Sequence, residues 1–313
     1  MNMFRSGLLG VVLAVAMGAG AHPPVLEREA FFEAFGWDTD QAEITVETLA
    51  PGRHVLFGLG GNILVSVGDQ GTLLVDNQIP EIRDRIDAAL AELGSERVDF
   101  TINTHWHFDH ADGNLAYGPD GTWLIAHEES RRMLTGDRII NMVGVAYEQA
   151  AYPPDALPVI TFDDRMQLHF NGERIDLIHA GPAHTTGDTA VIFRGHGIVH
   201  MGDVFVMGMW PFIDFDSGGD LDGMIRFVRA VLDEIDDDAI VVPGHGPVAD
   251  RTAMVAYVEN LETVRGRIAE LIEAGADLEA VLAAAPMAGF EDMEGDPTLF
   301  IDRAYHSLLR PAE

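Results

Sequence analysis

The chain has 313 residues, 47% of them hydrophobic, and a formal net charge of -32 at pH 7. That is enough chain and enough apolar content to bury a sizeable core, and it speaks against a disordered polypeptide. With 51 acidic residues against 19 basic ones, all arginine, nucleic acid, which needs a basic surface, is not an expected partner.

Met1 to Ala21 reads as a secretory signal: Arg5 supplies the positive end, Leu8 to Met17 the apolar run, and Ala19-Gly20-Ala21 a small-residue cleavage site before His22. The expectation is a periplasmic or secreted protein cut after Ala21, with no membrane span in the mature chain. There is no cysteine, although an exported chain enters a compartment where disulfides form, so stability rests on the core and, as a hypothesis, on bound metal.

Glu27 to Phe35 has the pattern of a short amphipathic helix. From Ile44 to Asp76 the pattern is that of an antiparallel meander, with strands at Arg53 to Phe57, Asn62 to Val67 and Thr72 to Asp76 and glycine-rich turns between them. The Gly58 to Gly61 turn is read as a turn former. Pro80 to Leu93 predicts a helix with Pro80 at its start and Gly94 past its end. A β-branched strand from Arg97 to Asn103 follows. After it come a helix from Ala111 to Tyr117, a strand from Thr122 to Ala126 and a helix from His127 to Leu134, with His127 read as a surface residue. Asn141 to Pro158 is expected to be irregular because Pro153 and Pro154 block regular structure. Strands return at Met166 to Phe170, Arg174 to Ala180, Ala190 to Phe193 and Gly197 to Met201. Leu221 to Ile235 is helical, Ala239 to Val242 is a buried strand, and Thr252 to Ala274, Leu278 to Ala285 and Pro297 to Leu309 are helices. No repeat or linker appears, so one domain is expected over 22-313, with a core at about 46-251 and a helical extension at about 252-313.

The chemistry concentrates in Thr104-His105-Trp106-His107-Phe108-Asp109-His110, where the Arg97 to Asn103 strand ends. Residues i and i+2 of an extended backbone point the same way, so His105 and His107 can share one ion while Asp109 and His110 aim at a second. Three further strand ends carry metal-type groups: Gly181 to Asp188 with His184, His200 to Asp203, and Pro243 to Gly246 with His245. Strand ends on one edge of a sheet converge, and the inventory allows two sites. His105, His107 and His184 would hold one ion, Asp109, His110 and His245 the other, and Asp203 could bridge them.

The set His105-x-His107-x-Asp109-His110, Ala183-His184-Thr185-x-Gly187-Asp188, Gly202-Asp203 and Pro243-Gly244-His245-Gly246 resembles the metallo-β-lactamase-fold hydrolases over about Val46 to Arg251. The resemblance implies an α/β fold, a four-layer αββα sandwich, with a binuclear site for two zinc ions, iron or manganese being compatible with the same ligands. It also implies a small-molecule substrate whose amide, ester or thioester carbonyl is opened by water made acidic between the two cations. Asp109 would bind metal and handle the proton, so it is the candidate catalytic residue. Thr185 and Asp188 are candidates for supporting His184, either by accepting an imidazole N-H or by pinning its loop. Trp210 and Phe212, in the apolar stretch after Asp203, are candidates for a substrate-pocket wall, whereas Arg226 and Arg229 read as solvated helix residues. The chain departs from the true β-lactamases in having Asp203 where they carry cysteine, and Val206 and Met207 where they carry a lysine for the substrate carboxylate. Lactone and thioester hydrolases are the more similar relatives. The alternatives are an iron-dependent oxygenase of the same fold and an accessory metal protein of the cyclase-like or quinoprotein-relay kind.

Overall fold

A computed structural model describes residues 23-290 and 293-310; the signal expected at Met1 to Ala21 lies outside the described residues. Two sheets stack face to face. One has seven strands and contains the meander Thr45–Ala50, Arg53–Phe57, Ile63–Gly68 and Gly71–Val75, followed by Phe100–Ile102, Trp123–His127 and Ile160–Phe162. The other has six strands, from Arg165–Phe170 through Glu173–Ile178, Ala190–Phe193, Ile198–His200 and Ile240–Val242 to Ala249–Asp250.

The period of two in each strand sorts its side chains between layers. Leu64, Leu73, Val75 and Ile102 from the first sheet meet Val191, Phe193, Ile198 and Val242 from the second in a dry layer between the sheets. Their neighbours Ile63, Val65 and Leu74 face outward and are covered by Ile86 and Leu90 of helix Arg83–Glu92 and by Phe31 and Phe32 of helix Arg28–Ala34. On the far side Ile192, Val199 and Val241 lie under helices Leu221–Leu232, Arg251–Glu273 and Pro297–Leu309. The order helix, sheet, sheet, helix is the expected four-layer sandwich.

Within each sheet one parallel pair decides where the polar loops fall. Gly71–Val75 runs parallel to Phe100–Ile102, and Ile198–His200 runs parallel to Ile240–Val242. Parallel neighbours finish on the same edge. The segments leaving these four strands, which carry Asp76, His105, Asp203 and His245, therefore emerge together.

Two expectations need correcting. The stretch from Asn141 to Pro158 is not irregular throughout. Ala146–Gln149 pairs antiparallel with Arg138–Asn141 and parallel with Val25–Leu26, forming a separate three-stranded sheet. One partner, Arg138–Asn141, is reached by a short hairpin, and the other, Val25–Leu26, lies about 120 residues away in sequence, so nothing local to Ala146 signals that second pairing. The helix expected from Ala111 starts earlier, as Phe108–Ala111, and is separate from Asn114–Tyr117. Asp109 and His110 are thus on the first turn of a short helix rather than in a loop.

Candidate metal centre

The ligand segment changes direction at His107, whose backbone is extended before the helix Phe108–Ala111 begins. His105 and His107 therefore project together, with ring centroids 4.8 Å apart, and the helical turn aims Asp109 and His110 at different neighbours. Three groups of side chains have their donor atoms within 4.8 Å of one another: His105, His107 and His184; His105, His110 and Asp203; Asp109, His110 and His245. All seven residues read from the sequence as ligands are in this cluster.

The hydrogen bonds behind the rings assign their protons. Nε2 of His107 donates to Asp214 Oδ2 at 3.0 Å, and Nδ1 of His184 donates to the Phe212 carbonyl at 2.7 Å. His110 Nδ1 donates to Asp76 Oδ2 at 2.7 Å. The Thr104 hydroxyl donates to the same oxygen at 2.8 Å, which leaves it to accept from His105 Nδ1 at 3.0 Å. With these N-H groups directed outward, the opposite nitrogens of His105, His107 and His184 present lone pairs inward. His107 Nδ1 and His184 Nε2 face each other at 2.9 Å, and His105 Nε2 is buried without a partner. Lone pairs brought this close with no proton between them are the donor set of a cation site. A divalent ion fits His105, His107 and His184, and a second fits Asp109, His110 and His245.

Asp203 stands between the two groups, 3.1 Å from His110, 3.8 Å from His184 and 3.4 Å from His245. Burial opposes ionisation of this carboxyl, but His245 and His110 outweigh it and hold it well below the usual carboxylate range. Asp109 is lowered in the same way by His110 and His245. Burial alone would lower His110 and His245, yet the facing carboxylates raise both, His245 to about 9. His105 and His184 are pushed down by burial and by neighbouring imidazoles. The centre is thus charge-separated, and its second half is the open one. His105, His110 and His184 have at most 1% of their surface exposed. The side chains of Asp109, Asp203 and His245 keep 12%, 13% and 21%, so a ligand arrives over these three.

Sequence reasoning missed Asp76 and Asp214. Asp76 has φ 63°, an uncommon conformation for a residue with a side chain, and also accepts the Thr104 amide at 2.7 Å. A carboxylate at the end of the Gly71–Val75 strand, next to the ligand strand, was the available signal. Asp214 carried none, since it lies inside an apolar stretch.

Other expectations are refined by the contacts. Asp188 accepts the amide and the hydroxyl of Thr185, both at 2.8 Å, so the pair pins the loop and does not receive the His184 N-H. Phe212 has its ring 5.8 Å from that of His184 and 6.0 Å from that of His107. Trp210 instead packs on Phe300 and Phe290, with centroids at 5.0 and 5.6 Å, so its ring contacts are with the C-terminal segment. His127 is not a surface residue. It is 2% exposed, stacks on His179 at 3.9 Å and accepts the Glu129 amide as the cap of helix Glu128–Leu134. Arg229 pairs with Glu262 and Arg226 lies 3.6 Å from Asp220, as solvated helix residues do. The Gly58 to Gly61 turn proves to be a close approach as well as a turn: a Cβ on Gly61 would lie 2.1 Å from Cε1 of His110.

A two-sheet sandwich with histidines and aspartates gathered at one edge defines the class of the metallo-hydrolases. The chain belongs to the metallo-beta-lactamase superfamily, whose family model matches residues 56–245. It is 25% identical over 214 residues to the 2,4-dinitroanisole O-demethylase subunit alpha of a Nocardioides species, covering 68% of this chain and 60% of that one. It is 24% identical over 197 residues to a probable metallo-hydrolase of Methanocaldococcus jannaschii, covering 61% of this chain and 86% of the relative. Among solved structures it resembles a metallo-beta-lactamase from Pontibacter korlensis, with TM-score 0.57, 16% identity, and 70% and 99% of the two chains covered. It also resembles the DIM-1 metallo-beta-lactamase, with TM-score 0.56, 18% identity, and 71% and 99% covered. The family supports a metallo-hydrolase enzyme, the chain spans 60% of the length of the O-demethylase subunit it matches, and the structural likenesses, all below 25% identity, speak for the fold alone.

Among the described residues no helix is long and apolar enough to cross a membrane.

Proposed function

We propose that this is an exported zinc-dependent hydrolase that opens the carbonyl of a small ester, thioester or lactone with water. The observation that carries the reading is the convergence of inward-facing imidazole nitrogens, with His107 and His184 at 2.9 Å, beside two ionised carboxylates. Divalent cations held there supply polarisation of the carbonyl and acidification of water.

The chain's own groups divide the remaining work. Asp76, Asp214, Thr104 and the Phe212 carbonyl fix which nitrogen of each ring carries a proton. Asp109 is ionised and on the open side, where its carboxylate can hold the proton that water gives up. Burial of His105, His110 and His184 keeps bulk water from the back of the centre.

Efficient action on β-lactams is not part of the proposal. The chain has no lysine, and the arginines on helix Leu221–Leu232 are engaged with acidic residues outside the ligand cluster. The test is metal analysis of protein purified without added metal, together with turnover on esters, thioesters, lactones, β-lactams and 2,4-dinitroanisole. Two equivalents of zinc, with ester or thioester hydrolysis abolished by chelation and restored by zinc, is the expected result. Iron in the purified protein, or inactivity of the fully loaded protein across the panel, overturns it.

A further inference from the structure

The segment ahead of the family-matched region does not simply cap a sheet. Helix Arg28–Ala34 and the turn after it place Phe31, Phe32 and Trp37 around Phe108, with ring centroids 5.5, 6.1 and 5.8 Å away. Phe108 sits in sequence between the ligands His107 and Asp109. Trp37 itself is only half-buried, as are Leu59 and Phe212, and all three pack on the apolar cluster that contains Trp106 and Phe108. Leu59 is carried by the turn that touches the ligands: a Cβ on Gly60 would lie 2.4 Å from the Asp109 carbonyl oxygen. Phe212 lies against the rings of His107 and His184. Three partly exposed apolar side chains from three separate segments therefore stand around the ligand loop.

The charges at this edge are equally one-sided. Among the described residues no ion pair joins an arginine to the seven clustered residues, and Arg28, on the N-terminal helix, is committed to Glu81 and Asp112. A carboxylate at the far end of a substrate chain laid among Trp37, Leu59 and Phe212 would be desolvated against apolar side chains, which is costly, whereas a hydrocarbon chain would be favoured there.

We propose that Trp37, Leu59 and Phe212 form an apolar collar that takes the acyl chain of the substrate, so that the centre hydrolyses esters or thioesters of uncharged, apolar acyl groups. This rests on the hydrolase reading above. In the reaction the water oxygen bonds to the acyl carbon, the C-O or C-S bond breaks, and the departing oxygen or sulfur takes a proton, leaving a carboxylic acid and an alcohol or thiol.

Two measurements on the zinc-loaded full chain test it. The first is calorimetric binding of three hydroxamates: acetyl, octanoyl, and an eight-carbon chain ending in a carboxylate. Each buried methylene strengthens binding by about fourfold, so even partial burial makes the octanoyl compound at least about tenfold tighter than the acetyl one. The carboxylate-ended chain is expected to lose that gain. Trp37→Ala shrinks the octanoyl-to-acetyl ratio at least about fivefold, and Trp37→Leu, which keeps an apolar side chain, retains more of it. The second measurement is turnover of the matching acetyl, octanoyl and carboxylate-ended thioesters. Equal binding of short and long chains, or of charged and uncharged ones, overturns the collar. Turnover without a chain-length preference also overturns the collar and leaves the hydrolase reading intact. Absence of all turnover with the binding preference present overturns the hydrolase reading, and the substrate class falls with it.

Discussion

His107 meets His184 with 2.9 Å between Nδ1 and Nε2, and what makes this a ligand pair rather than a hydrogen bond is Asp214, which holds the opposite nitrogen of His107 at 3.0 Å. Asp214→Asn presents an amide that can donate to that nitrogen and so reverse the tautomer. Metal affinity at the His105, His107 and His184 group is expected to fall about 10- to 100-fold, the usual cost of losing such a support. Competition with a chromophoric chelator measures it. Unchanged affinity would show that the tautomer is fixed by something else.

Asp109 has two roles in the reading, and Asp109→Asn separates them from folding. Turnover should drop at least about 100-fold, within the range carried by a positioned acid or base, while the circular-dichroism spectrum stays that of the wild type. A variant with full activity on the protein's best substrate would remove Asp109 from the chemistry.

The pH dependence of metal binding follows from His245. Its imidazole is raised from 6.5 to about 9, burial being outweighed by Asp203 and Asp109, so at neutral pH the metal-free protein carries a proton there that a cation must expel. Zinc affinity should rise as pH climbs from about 6.5 toward 9 and proton release should be seen in calorimetry with buffers of different ionisation enthalpy. The stability sign is opposite for the metal-free protein. A raised imidazole contributes stability that is complete below 6.5 and is lost as pH rises through about 9. Thermal melts that fall over this window without metal and stay level with zinc are the expected pair of results.

Gly61 is fixed by contact, not by backbone conformation. A Cβ there would lie 2.1 Å from Cε1 and 2.4 Å from Nδ1 of His110, so either the turn or the ligand must move. Gly61→Ala is expected to cost about 1 to 3 kcal/mol, as overpacking does, and to lower metal content at the second group. Wild-type melting temperature and metal content together would contradict the geometry.

Arg28 tethers the N-terminal helix to Asp112, two residues beyond the last ligand of the loop, at 2.5 Å, and donates to the Tyr147 hydroxyl at 2.7 Å. Asp112 is nearly buried, and burial lifts its carboxyl to about 6 despite the guanidinium. Removing the partner strands that charge, so Arg28→Ala should cost about 3 kcal/mol in urea denaturation, near the low end for breaking a buried pair because Arg28 is itself partly exposed. A loss below about 1 kcal/mol would mean that the tether is not a structural one.

The sequence by itself determined the inventory of this protein. Spacing placed His105, His107, Asp109 and His110 within reach of two cations, the alternation of residues such as Leu73, Leu74 and Val75 sorted sheet faces, and the missing lysine and cysteine set the chain apart from the β-lactamases. These are legible because ligand direction and strand facing follow from the local backbone period. Only the tertiary structure decided what stands behind and around those ligands. Asp214 lies 107 residues from His107, Asp76 lies 34 from His110, Val25 pairs with Ala146, and Trp210 turns to Phe300 while Phe212, two residues on, faces the histidines. Such partners are chosen by which strands run parallel and which segments cross the sheet edge, and no period in the chain encodes that choice.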